Sequence, residues 1–378
     1  MPSLIHLTLG VLPLVSAFAA PKAPYTRTEC TEKTVRKPWQ NLTDTEKRDY
    51  LNADLCLMEA PAQSGIKGAR SRWDELQYSH IAQSDYIHGV GAFLPFHRYF
   101  VTAHGHLLKT ECNYTGPLPY WDEPSDVGNI NGSSLFNGEL SFGGNGTGPS
   151  RCIETGPFAN LSLHFHEDLS SSPDYCISRY LNDFTFASAA RANVALCAKQ
   201  TTFVSAWRCL EGLPHGAGHG GVMGTMVNPL LSPGDPVFYL HHGYLDKLWW
   251  DWQSQNLSSR LTEIGGNNTA SGFSFGPGFG FNFTGPSPFN FTGGPPPGFG
   301  APGGSNFTSP PGFPPVANGT LPFPGLNRTL NKAFTDYFHD GGYTTTLNHT
   351  LWSANIMANV TIGDVMDGSS GFVCAEYM

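Results

Sequence analysis

The sequence predicts a mainly α-helical fold on a loop-rich body stapled by disulfides. Three observations predict it. Helix start signals and 3.6-residue apolar spacing recur in separate segments between residues 43 and 255. Between these segments run Gly-, Asn-, Ser- and Pro-rich stretches with no sustained period. Eight cysteines, an even number, lie along the chain at Cys30, Cys56, Cys112, Cys152, Cys176, Cys197, Cys209 and Cys374.

In chain order, residues 1–19 (MPSLIHLTLGVLPLVSAFA) read as a signal peptide. Leu4 to Phe18 is mostly apolar and Ala17-Phe18-Ala19 is an A-x-A-like cleavage site, although the start carries no Lys or Arg. An apolar run of about 15 residues is too short to span a membrane comfortably. Residues 20–378 then read as one domain of a secreted protein with no membrane segment after cleavage. Thr43-Asp-Thr-Glu46 is a capping box opening a helix through about Met58. Arg70 to Tyr86 has helix-forming composition. Pro95 stands where a first helical turn would start, and Phe96 to Glu111 reads as the helix that follows. Residues 113–160 read as loop, and Thr201 to Glu211 as a short helix. Pro236 to Gln255 is the strongest helix, with Phe238, His242, Leu245 and Trp249 on one face.

Residues 265–326 differ in kind. They are dense in Gly, Pro and Phe and repeat Asn-Phe-Thr three times. Such a composition buries too little apolar surface to fold, so a disordered, glycan-coated insertion is expected rather than an aromatic tether. Ordered sequence resumes near Asn327.

Bulk composition narrows the partners. A formal charge of −9, a pI near 5.8 and the lack of any basic run argue against nucleic acid. Only 13% of residues are charged, about half the ordinary share. Neutral polar residues replace them, as suits a secreted surface. Fourteen N-x-S/T sequons, from Asn41 to Asn359, predict N-glycans. Up to four disulfides fit that compartment, and no Cys-x-x-Cys marks a zinc ribbon. Oligomeric state is not legible.

Six histidines carry the chemistry. His80, His88 and His97 form one cluster; His215, His219 and one of the pair His241–His242 form a second. Three neutral imidazoles per ion and no carboxylate at ligand spacing suit copper, zinc or iron better than magnesium or calcium. His215 and His219, at i and i+4, share one helix face. His88 and His97 are nine apart and would point oppositely on one helix, so Gly89, Gly91 and Pro95 must turn the chain. His80 and His88 require another break near Ser84–Asp85. His241 and His242 diverge by about 100° on a helix. His242 shares its face with Phe238 and with Asp246, which is expected to orient its imidazole, so His242 is the chosen ligand. The pairs His104/His106 and His164/His166 are expected to be structural or surface residues. Gly216 and Gly220 are expected to leave open space beside the second ion.

These residues resemble a family. IHGVGAFLPFHR, PHGAGHGG, SPGDPVFYLHHGYLDKLWWDWQ and NVTIGDVMDGSSGFVCAEYM closely resemble short secreted fungal tyrosinases and catechol oxidases. The resemblance covers roughly residues 40–264 and 330–378. It implies a four-helix bundle holding two copper ions, with O2 as co-substrate and a small phenol as substrate. It implies His80, His88 and His97 at the first copper and His215, His219 and His242 at the second. Some fungal members carry a cysteine two residues before the middle ligand of the first copper. Here Tyr86 stands there, so no thioether crosslink is expected. Strong monophenol hydroxylases of the family place an Asn after the first ligand of the second copper, where this chain has Gly216. With a nearby Glu, that Asn is thought to hold a water; Glu211 is the candidate here, a helix-end salt bridge being its alternative. With the sequence ending just after Tyr377, the covering C-terminal domain of larger members is not expected. The resulting expectation is an oxidase turning o-diphenols, or related o-aminophenols, into o-quinones, with weak or absent monophenol hydroxylation. The alternatives are a full tyrosinase with monophenol monooxygenase activity, a haemocyanin-like O2 carrier, a dizinc hydrolase and a non-catalytic wall glycoprotein.

Overall fold

Capping chemistry sets where the helices begin. In the computed structural model, which describes residues 30–268 and 343–378, α1 (Asp44–Glu59) opens on the predicted box: Thr43 accepts the N–H of Glu46, whose carboxylate accepts the N–H of Thr43. α2 (Arg72–Ile87) opens on a second reciprocal box, Ser71 with Asp74. α3 (Phe93–Cys112) takes Pro95 at its third position, where no intrahelical N–H bond is lost. Then follow α4 (Asp183–Phe186), α5 (Arg191–Ala198), α6 (Phe203–Leu210), one π turn at Glu211–His215, α7 (Gly216–Val222) and α8 (Val237–Ser254). The fold is mainly helical. The signal-peptide expectation and most of the 265–326 insertion fall outside the described residues.

α8 is central. Its predicted face, Phe238, His242, Leu245 and Trp249, is buried, but so are Tyr239, Leu240 and His241 on other sides. A helix buried all round is an interior helix. It runs against α3, while α2, the π turn and α6 close around the pair. The stretch 113–160 is mostly loop, as expected, apart from two single 3-10 turns (Glu123–Ser125 and Ile130–Gly132) and one strand. β1 (Thr34–Pro38) pairs in parallel with β2 (Leu118–Tyr120) on one side and with the C-terminal strand Ala375–Tyr377 on the other. Three-residue strands are too short to show a period-2 pattern in sequence.

All eight cysteines pair: Cys30–Cys374, Cys56–Cys112, Cys152–Cys176 and Cys197–Cys209. Cys56–Cys112 ties α1 to the end of α3, and Cys197–Cys209 ties α5 to α6. Loops of such lengths each gain roughly 2–4 kcal/mol from closure.

A buried ionic clamp joins these parts and corrects the role expected of Asp246. Its carboxylate does not orient His242. One oxygen accepts from Arg98 Nε, and the other from Arg36 Nη1 at 2.7 Å and from the Tyr377 hydroxyl. Two guanidinium groups outbid an imidazole because they are permanently charged and present several donors. Arg98 also lies 3.8 Å over the Trp249 ring and donates to the carbonyls of Val365 and Met366. Burial would push the Asp246 carboxyl up, but Arg98 and Arg36 together hold it below the ordinary 3.8. A depressed carboxyl stabilises the fold above its unfolded pKa and loses that contribution as pH falls through its folded value, so this clamp weakens only in strong acid. Asp246→Asn strands two buried guanidinium groups. It should cost about 3–5 kcal/mol in urea unfolding at neutral pH, and an unchanged midpoint would contradict the clamp.

Candidate metal centre

The first triad is assembled by two departures from helix geometry. The break expected near Ser84–Asp85 occurs one residue earlier, at Gln83 (φ −121°, ψ 15°). There the Gln83 side-chain amide donates to the Ser79 carbonyl at 2.8 Å and to the Trp352 carbonyl at 2.9 Å. The second departure is the turn after His88. Gly89 has φ +65°, and a Cβ on Gly91 would lie 2.0 Å from the Gly265 carbonyl oxygen. The rings of His80, His88 and His97 consequently sit 5.0–5.7 Å apart.

The second triad sits on the π turn, α7 and α8. His215 and His219 rings are 4.5 Å apart, and His242 lies 5.3 and 5.5 Å from them. The two triads adjoin: His97 stacks on His242 at 4.2 Å and 11°, and His88 faces His215 at 6.2 Å. Phe93 and Phe238 pack among the imidazoles, Phe93 at 4.7 Å from both His97 and His215, Phe238 at 4.1 Å from His242.

Hydrogen bonds aim the rings. Nδ1–H of His88, His97 and His215 donates to the carbonyl four residues earlier, at Ser84, Phe93 and Glu211. Nδ1–H of His80 and His219 donates to Leu230 and Met226, in the loop between α7 and α8. An acceptor at Nδ1 fixes the tautomer that leaves Nε2 with a free lone pair. Nε2 of His80, His97 and His215 is buried and bonded to nothing in the protein, and neither nitrogen of His242 has a partner. Burial, first of all, holds all six imidazoles neutral: His88 falls to about 4, His219 to about 3, and the others well below 6.5. Neutral imidazoles with bare, converging nitrogens and no carboxylate among the six are a donor set for copper. One ring nitrogen from each member of a cluster lies within 4.8 Å of the rest.

Comparison with known proteins agrees. Residues 70–255 match the model of the common central domain of tyrosinase. Tyrosinase ustQ of Aspergillus flavus is 31% identical over 281 residues, spanning 70% of this chain and 76% of the relative. The chain belongs to the tyrosinase family. Tyrosinase-like protein phomQ1' of Diaporthe leptostromiformis is 30% identical over 63% of this chain and 68% of its own length. A polyphenol oxidase from Thermothelomyces thermophila shares the fold, with a TM-score of 0.66, 23% identity, and coverage of 92% of this chain and 89% of that one. The two histidine triads are a type-3 dicopper site, and the chain is a copper phenol oxidase.

Several expectations need revising. The salt-bridge alternative for Glu211 fails among the described residues: its carboxylate accepts from Gly89 N at 2.7 Å and Trp207 Nε1 at 2.6 Å. Gly220 offers no open space, being buried with its carbonyl bonded to Thr185. Within residues 215–222 only Gly216 and His219 are partly exposed. The H-x-H residues hold structure: His104 bonds Asp54 at 2.9 Å and stacks on Tyr239, and His164 bonds Asp74 at 2.8 Å.

Sequence reasoning missed Phe93, Trp207 and Glu123. Glu123 is wholly buried and bonds Nδ1 of His241. Burial pushes the carboxyl up and the imidazole down. His241 joins the second cluster by distance, 4.6 Å ring to ring from His219. The only available signal was a carboxylate in PYWDEP, which nothing in its local spacing marks as buried. Gly218 makes room for the pair, since a Cβ there would meet His241 Nδ1 at 2.2 Å and Glu123 Oε1 at 2.8 Å. Gly218→Ala should therefore displace α8 from α7 and lower copper bound per chain, measured by metal analysis of the folded, disulfide-intact protein. Full copper content in that variant would show that the contact is slack.

Proposed function

We propose that this enzyme is a secreted catechol oxidase. It converts o-diphenols, or related o-aminophenols, to o-quinones or quinone imines while O2 is reduced to water, and hydroxylates monophenols weakly or not at all. Two catechols would give four electrons and four protons per O2, which balances the reduction to two waters. The two copper ions would supply the electron transfer to O2 and charge stabilisation on both oxygens. His80, His88 and His97 would hold one ion; His215, His219 and His242 the other.

The protein's own part is positioning and exclusion of water. The Nδ1–H bonds lock five rings, and Phe93 and Phe238 fill the space among them with apolar surface. Substrate approaches past Gly216 and His219, the half-exposed edge of the second triad. The reading of weak monophenol hydroxylation rests on one observation. Gly216 offers no side chain to hold a proton-accepting water beside the Glu211 carboxylate, whose two oxygens each already accept one N–H, from Gly89 and Trp207. The paired cysteines support secretion, since such bonds persist in oxidising compartments.

Oxygen uptake with a catechol, a monophenol and an o-aminophenol side by side tests the proposal. Catechol uptake should dominate, stop on copper chelation and return with two copper ions, not with zinc. Comparable rates on matched monophenol and catechol would overturn the substrate assignment.

A further inference from the structure

Glu211 stands between the two triads and touches both through neighbours. Its Oε1 accepts the backbone N–H of Gly89, the residue after His88. Its backbone carbonyl accepts Nδ1–H of His215 at 3.2 Å. Its Oε2 accepts the indole N–H of Trp207, one turn back on α6. Three separate elements thus meet at one buried residue: the loop after α2, helix α6 and the π turn.

That turn places Glu211. A π turn accommodates one residue more than an α turn and is common at functional sites. Pro214 lies inside it and has no N–H to donate. Gly89 is pinned from its other side as well: its carbonyl accepts from Asn267 Nδ2 at 2.9 Å, and the Asn267 carbonyl accepts from Gly91 N at 2.8 Å. The left-handed φ of Gly89 orients its N–H and its carbonyl to these two partners.

Resting on the dicopper reading above, we propose that Glu211 is a positioning residue that couples the two triads. It holds the His88 turn at a set distance from His215. Each of its oxygens accepts one N–H, at 2.6–2.7 Å. Those donors lie on the turn after His88 and on helix α6, which runs into the π turn that carries His215.

Glu211→Gln keeps the shape but sets an amide N–H₂ against one of the two N–H donors. Trp207→Phe removes one donor and keeps the carboxylate. Copper(I) affinity by chelator competition, copper content, and the ratio of monophenol to catechol oxidation would be read for both variants, with circular dichroism and disulfide content as checks of folding. Each variant should bind copper about 10–100-fold more weakly. Both copper ions should be affected together, catechol oxidation should fall with copper content and return in excess copper, and the substrate ratio should stay unchanged. If Glu211→Gln binds two copper ions at wild-type affinity, the coupling role is wrong, whether it loses only monophenol hydroxylation or merely melts at lower temperature. If that variant does not fold, wild-type copper affinity in Trp207→Phe overturns the proposal by itself. Wild-type protein that bound no copper or left catechol untouched would instead count against the dicopper reading.

Discussion

Buried imidazole nitrogens without protein partners are the constraint on which the structure turns. Nε2 of His80, His97, His215 and His242 is sealed from water with nothing to bond. Each such group costs roughly 1–3 kcal/mol in a folded protein. Metal ligation would satisfy these lone pairs. The scaffold must therefore hold the rings in place before the metal arrives, and much of the remaining architecture serves that end.

Two devices do so. One is local: three rings are tied to the carbonyl four residues back, so helix geometry itself aims them. The other is long-range. The loop between α7 and α8 offers the Leu230 carbonyl to His80 in the first triad and the Met226 carbonyl to His219 in the second. Behind the rings, Arg98 follows His97 in α3, and Asp246 lies one turn beyond His242 in α8. Their bond fixes α3 against α8 beside the 4.2 Å contact of His97 and His242. The clamp thus acts on the ions through helix position, not through an imidazole.

Glycines shape the second triad in different ways. Gly218 and Gly221 allow α7 to pack against His241 and Phe186, and Gly220 is bonded through its carbonyl to Thr185. Gly216, next to His215, is the one of the four that is partly exposed. Of these four glycines three are buried and one is partly exposed, a division that depends on which side of α7 each lies.

The helix start at Thr43, the long helix ending near Gln255, the six clustered histidines and the full pairing of the cysteines were legible in the residues. Each rests on local rules: capping, 3.6-residue spacing, the turn demanded between His88 and His97, and cysteine parity. The kink was also demanded by spacing, although its place at Gln83 came from a side-chain bond to Trp352, 269 residues away. Only the tertiary structure decided the partners of Asp246, of Glu211 and of the His241–His242 pair. Asp246 shares a helix face with His242, yet Arg36, at a sequence separation of 210, reaches it. Glu123, 118 residues from His241, is beyond any periodicity. Short-range sterics and hydrogen bonding determine which residues can share a helix face. Which charges a buried group meets depends on chain segments brought together by folding, and no local pattern carries that information.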